Sequence, residues 1–169
     1  MSIIAEDLSK SRALLAAGAR VDAQDTHGNT PLHNASYHNS VASVKLLLAQ
    51  TGSKEALSLR TSEGDTALDY ACSNGHLEVA KVLIAAGADI NAQDERGWGP
   101  LHNSCTKFTS KSLELVEFLL ESGANPLLQN SDGQRPYDIT KQPSIKSVLK
   151  IKTDSFQADM DFLDGGMEF

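Results

Sequence analysis

Five histidines and two cysteines are the residues of this 169-residue chain with the widest chemical reach. His102 and Cys105 stand three apart and Cys72 and His76 four apart, spacings that set two ligands on one helical face, so a zinc-type site is the first chemistry to weigh. Phosphate or nucleophilic chemistry finds less support. Gly97-Trp98-Gly99 lacks the Lys of a phosphate-cradling loop, and the many carboxylates form no evident pair. Two cysteines are too few for a disulfide scaffold, so a reducing, intracellular setting is expected, cytoplasmic or nuclear.

The elements that would position these residues recur along the chain. Asp25-Thr-His-Gly28-Asn-Thr30-Pro31-Leu32-His33 returns as Gly64-Asp-Thr66-Ala67-Leu68-Asp69, as Asp94-Glu-Arg-Gly97-Trp-Gly-Pro100-Leu101-His102, and as Asp132-Gly133-Gln-Arg-Pro136-Tyr137-Asp138. The glycines are 36, 33 and 36 residues apart, a period of 33 with two three-residue insertions. One insertion falls between Gly52 and Arg60, the other around residues 107–112, both in connections, where stacked units tolerate length. A second block, Leu14-Leu15-Ala-Ala-Gly18, returns at Leu47-Leu48-Ala-Gln-Thr51, Leu83-Ile84-Ala-Ala-Gly87 and Leu119-Leu120-Glu-Ser-Gly123 and reads as a helix end closed by a left-handed residue. Thr51 replaces that glycine, so this helix end should be irregular. Asn39 stands in the place of Gly75, and Asn is the non-glycine residue that best accepts a positive φ.

Together these motifs resemble ankyrin repeats over about residues 2–150, on the strength of Thr-Pro-Leu-His at 30–33, Gly75-His76-Leu77-Glu78-Val79 and Gly87-Ala-Asp-Ile-Asn91 in the right order. The resemblance implies an all-α repeat solenoid, a stack of helix-turn-helix units joined by β-hairpin loops. Under it, His33 and His102 hold backbone near the turn, and His76 opens a second helix. Cys72 and Cys105 each lie eight residues past a turn glycine, the slot of Ser36. Neighbours in such a column are about 8–10 Å apart, too far for a disulfide. Neither a metal nor any other cofactor is expected, and no enzymatic activity. Thr30 and Thr66 should cap their helices, whereas Gly99 in the same place removes a cap worth about 1 kcal/mol.

The units divide the chain into a partial N-terminal capping repeat at 1–22, full repeats at 23–59, 60–92 and 93–128, a shortened capping repeat at 129–152 and a tail at 153–169. The chain starts inside a unit, read as a half-repeat cap or as a shortened form of something longer. In the last unit Pro143 is expected to interrupt, with Ile145, Val148, Leu149 and Ile151 forming the final apolar stripe.

Charge separates the same two parts. The net charge is −7, but five acids and no Lys or Arg follow residue 153, leaving the body at −2. An acidic chain of this kind does not neutralise phosphates, so direct nucleic-acid binding is not expected. No apolar run is long enough for a membrane span, and no secretory leader pattern develops at the N-terminus.

What the fold leaves free is a surface for proteins. At the turn tips and along the first helices, His27, Asn29, Tyr37, Asp65, Arg96, Trp98 and Phe108 are candidate partner-binding residues on a concave face. Trp98 has an alternative role, packing on its neighbouring hairpin. In the tail Phe156, Met160, Phe162 and Leu163 alternate with acids, a pattern of segments that form an amphipathic helix on a partner. A cap on the last repeat and an inert solubilising tail are the alternatives. Gly165-Gly166 should stop any helix there. The expected function is that of a monomeric adaptor, regulator or assembly chaperone binding partner proteins, the alternative being regulation of transcription or complex assembly through the tail.

Overall fold

A computed structural model describes residues 20–50, 53–107, 109 and 111–165, with side chains left aside at 53, 54 and 159–165. Helices at Pro31–Tyr37 (α1) and Val41–Gln50 (α2) make the first unit, followed by Ser53–Ser58 (α3). Ala67–Ser73 (α4) with Leu77–Ala85 (α5), and Pro100–Ser104 (α6) with Ser112–Glu121 (α7), make the next two. Pro136–Ile139 (α8) and Pro143–Gly165 (α9) make the last. First helices stack α1 on α4 on α6 on α8, while α2 lies against α5 and α7 against α9. That is the expected helical stack. Its hairpins are tight turns, with no strand assigned among the described residues.

The core follows the repeat columns. Leu32, Leu68 and Leu101 are buried between first helices, and Leu47, Leu83 and Leu119 recur in the second helices, closed at the end by Ile145 and Leu149. Each buried Leu contributes about 1.5–3 kcal/mol, so a column of small aliphatics suffices without aromatic residues. Asn39 has the expected positive φ, 57°, alone among the described non-glycine residues.

The insertions are used differently. The first is not a plain connection: it folds as α3, which buries Ala56 and Leu57 against the core. In the third unit the added residues cross the preceding one, where Thr109 would meet a Cβ on Gly75 at 2.8 Å and the Lys107 ammonium donates to Asn74 Oδ1 at 2.8 Å. The expected irregularity at Thr51 and the N-terminal cap up to residue 19 lie outside the described residues.

At the C-terminal end one expectation holds and two change. Pro143 does interrupt, since α8 ends at Ile139 before it, and it then opens α9, because a first-turn residue needs no intrahelical N–H partner. α9 then runs unbroken past residue 153 to Gly165, the last residue described, because no Gly or Pro lies between 144 and 164. Ile151 leaves the apolar stripe with 65% of its surface exposed, two residues beyond Leu149 and therefore turned away from α7. Among the described residues no helix is long and apolar enough to cross a membrane.

Candidate functional site

The turn tips are built by one recurring device. At the position three before each turn glycine, a side-chain oxygen accepts two backbone amides of its own turn. Asp25 Oδ1 takes those of His27 and Asn29, both at 2.8 Å, and Thr61 Oγ1 those of Glu63 and Asp65 at 3.3 and 3.2 Å. Asp94 Oδ1 takes those of Arg96 and Trp98 at 2.8 and 2.7 Å, and Asn130 Oδ1 those of Asp132 and Gln134 at 3.0 and 2.8 Å. The tips are then tied to one another. Ser62 N–H donates to His27 O, Glu95 N–H to Glu63 O and Ser131 N–H to Arg96 O, at 2.9, 3.2 and 2.8 Å.

Three of the five histidines are spent in this framework. Thr30 N–H donates to His33 Nδ1 and Gly99 N–H to His102 Nδ1, both at 3.2 Å, so each ring carries its proton on Nε2. Those Nε2 atoms donate to Asp65 O and Gln134 O of the next unit, both at 3.2 Å. Burial lowers both imidazole pKa values. His102 thus faces the next unit, and His76 Nε2 meets Tyr37 O at 3.0 Å. Cys72 and Cys105 are buried free thiols, with burial pushing the first well up and the second to about 12, so neither is an available nucleophile. Gly99 lacks the Thr cap as expected, yet keeps the reciprocal half through His102, and a Cβ there would lie 3.0 Å from Ala92 O.

Around these tips lies a mixed aromatic and acidic face. Tyr70 is its centre: its hydroxyl donates to Asn29 Oδ1 at 2.8 Å, and its ring sits edge-on to Tyr37 and His33 at 6.1 and 5.5 Å. Burial first, then the Asp65, Glu63 and Asp25 charges, raise the Tyr70 pKa. Tyr37 is half exposed, at 50%, and stands 5.1 Å from His38. The Asp65 carboxyl is itself held above its ordinary range, by burial and then by Asp94 and Glu63, with Arg96 opposing.

One unit on, Arg96 is 61% exposed while its partner Asp94 is covered, with 3.1 Å between NH2 and Oδ2. This pairing sets the guanidinium 5.8 Å from the Trp98 ring. Trp98 is half-buried, with its ring 6.0 Å from that of His102, so it both packs and shows a face.

Asn29, Tyr37 and Asp65 therefore share one neighbourhood about Tyr70, and Arg96 with Trp98 extends it. Exposed His27 supplies its carbonyl to the tip ladder. Phe156 is elsewhere, half-buried on α9 beside Leu120 and Pro126 at a small cavity of about 210 Å³. Phe108 and the side chains of Met160, Phe162 and Leu163 lie outside what is described. Tyr70 escaped the sequence reading because its slot holds Asn34 and Asn103 in the flanking units. That departure from Asn was the signal available.

Comparison with known families finds ankyrin repeats in three copies over residues 3–94 and a further ankyrin repeat over residues 96–131. The human ankyrin repeat and SOCS box protein 3 is 36% identical over 165 residues, covering 78% of this chain and 31% of that protein. The mouse B-cell lymphoma 3 protein homolog is 39% identical over 125 residues, covering 72% and 27%. The human protein phosphatase 1 regulatory subunit 27 is 34% identical over 98 residues, covering 58% and 61%. The chain thus spans about three tenths of the length of the first two relatives.

Proposed function

Because this chain belongs to the ankyrin-repeat family, we propose that it is a non-catalytic protein-binding module, an adaptor or regulator, whose contact face is centred on Tyr70. The observation that carries this reading is the conjunction of half-exposed Tyr37 with the Asp65 carboxyl, both set by the tip and first-helix framework. Every turn is locked by its own side-chain oxygen, so little conformational entropy is lost on docking and a few side chains can set specificity. Trp98 under Arg96 is the second anchor, of the residue types that most often dominate interface energies. Relatives named as a phosphatase regulatory subunit and as a SOCS box protein agree with a regulatory or adaptor role acting through other proteins.

The test is affinity purification with the full chain and with Tyr37→Ala, Arg96→Ala and Trp98→Ala. Loss of the same specific partner from all three, at unchanged melting temperature, is expected. Undiminished capture by all three would overturn the assignment of this face.

The tail is a second route. Beyond Leu149 the helix α9 shows mostly exposed residues up to 158, so its outer side is open to a partner. Removal of residues 154–169 should then lose a binding partner that Tyr37→Ala retains.

A further inference from the structure

The tip ladder has three complete rungs and an open fourth. At Gly28, Gly64 and Gly97, a Cβ would meet the backbone of the next tip at 2.9, 2.8 and 3.0 Å. At Gly133, with the same positive φ of 75°, a Cβ would meet nothing within 4 Å. The carbonyls of His27, Glu63 and Arg96, each just before its glycine, accept an amide from the following tip. Asp132 is the next in that series, and its carbonyl has no such donor among the described residues.

Side chains repeat the pattern. Gln24 Nε2 donates to Gly28 O and Arg60 O, both at 2.9 Å. Arg60 donates to Gly64 O and Gln93 O at 2.8 and 2.7 Å, and Gln93 Nε2 to Gly97 O and Gln129 O at 2.5 and 2.9 Å. Gln129 is the fourth member and is exposed. It lines a cavity of about 510 Å³ between the last tip and α9, together with Gly133, Arg135, Tyr137 and Thr153. The Thr153 hydroxyl is buried there without a hydrogen-bond partner.

We infer that this open rung is a docking seat for a backbone turn of a partner protein, of the Asp/Asn-x-x-Gly kind that forms three of the four tips here. The incoming turn donates an N–H to the Asp132 carbonyl, lays its backbone over Gly133 and accepts from the Gln129 carboxamide. Continuity with the three filled rungs fixes this chemistry, and the cavity is of a size that holds a short peptide segment. The seat is separate from the Tyr70 face and does not depend on it.

The probe is a disulfide-cyclised peptide carrying residues 93–99, the Asp94-x-x-Gly97 tip, titrated into the full 15N-labelled chain. Saturable shifts at millimolar peptide are expected at the amides of residues 131–135 and at the Gln129 side chain. Gly133→Asn keeps a residue that accepts positive φ but fills the seat, and should abolish the shifts. Gln129→Ala, which removes no side-chain bond among the described residues, should weaken binding about three- to tenfold, the worth of one hydrogen bond. Absence of shifts at these residues, shifts unaffected by both variants, or concentration-dependent self-association abolished by Gly133→Asn would each overturn the assignment of a partner turn.

Discussion

Asn103 of α6 donates its side-chain N–H to Asp69 Oδ1 of α4 at 3.0 Å, inside the stack. Asp69 occupies the position of His33 and His102, which tie each unit to the next through Nε2. An aspartate is too short to reach the next tip, and the tie is remade in reverse from Asn103. Its other oxygen keeps the local cap, accepting from Thr66 N–H and Oγ1 at 2.9 and 2.7 Å.

Burial raises the Asp69 carboxyl to about 6. Its folded pKa lies above the ordinary 3.8, so the associated stability is fully present below 3.8 and is lost as pH rises through about 6. The Asp69→Asn variant, in which Asn103 can turn its amide to pair, should gain on the natural chain by on the order of 2 kcal/mol between pH 4 and 7. Urea unfolding at both pH values checks this; a constant difference would refute it.

His33 and His102 act with the opposite sign. Burial depresses their pKa below the ordinary 6.5, so their stability is present above 6.5 and is lost as pH falls through the folded value. His33→Gln should therefore lose less stability than the natural chain between pH 7 and 5, by the same urea measurement. Nitrogen NMR should show both rings in the Nε2-protonated form at pH 7.5.

Arg60 does with a guanidinium what Gln24 and Gln93 do with an amide, reaching two backbone carbonyls across adjacent tips. Arg60→Gln should be nearly neutral, whereas Arg60→Ala should cost about 1–2 kcal/mol by chemical denaturation. Equal losses would show that the charge, not the bridge, matters.

Ser36 Oγ is buried without a hydrogen-bond partner, in the column where the later units place Cys72 and Cys105. Ser36→Ala removes a desolvated hydroxyl and should stabilise the chain by about 1 kcal/mol, read as a raised melting temperature. A fall of that size would mean that the hydroxyl is bonded in solution.

The units, their leucine columns and the positive φ at Asn39 are legible in the sequence because each depends on local spacing and repeats at a near-constant period. Tyr70 is not, since its role arises when its hydroxyl meets Asn29, 41 residues earlier, across a stacked interface. Nor is α3: an insertion read as a loop becomes a helix once Ala56 and Leu57 find apolar surface to cover. The passage of α9 through residue 153 is a similar case. The charge change there is real in the sequence, but Ile145 and Leu149 anchor the start of a helix that no residue before Gly165 forbids.

The tip ladder also has a mechanical meaning. Each rung joins a unit only to its neighbour, so tension applied to the two ends loads the successive interfaces in series, while the bonds within one interface share its load. Such a stack unravels from an end, unit by unit, under a succession of similar small forces. A molecule of this design behaves as an extensible spring whose steps are set by the spacing between one turn glycine and the next.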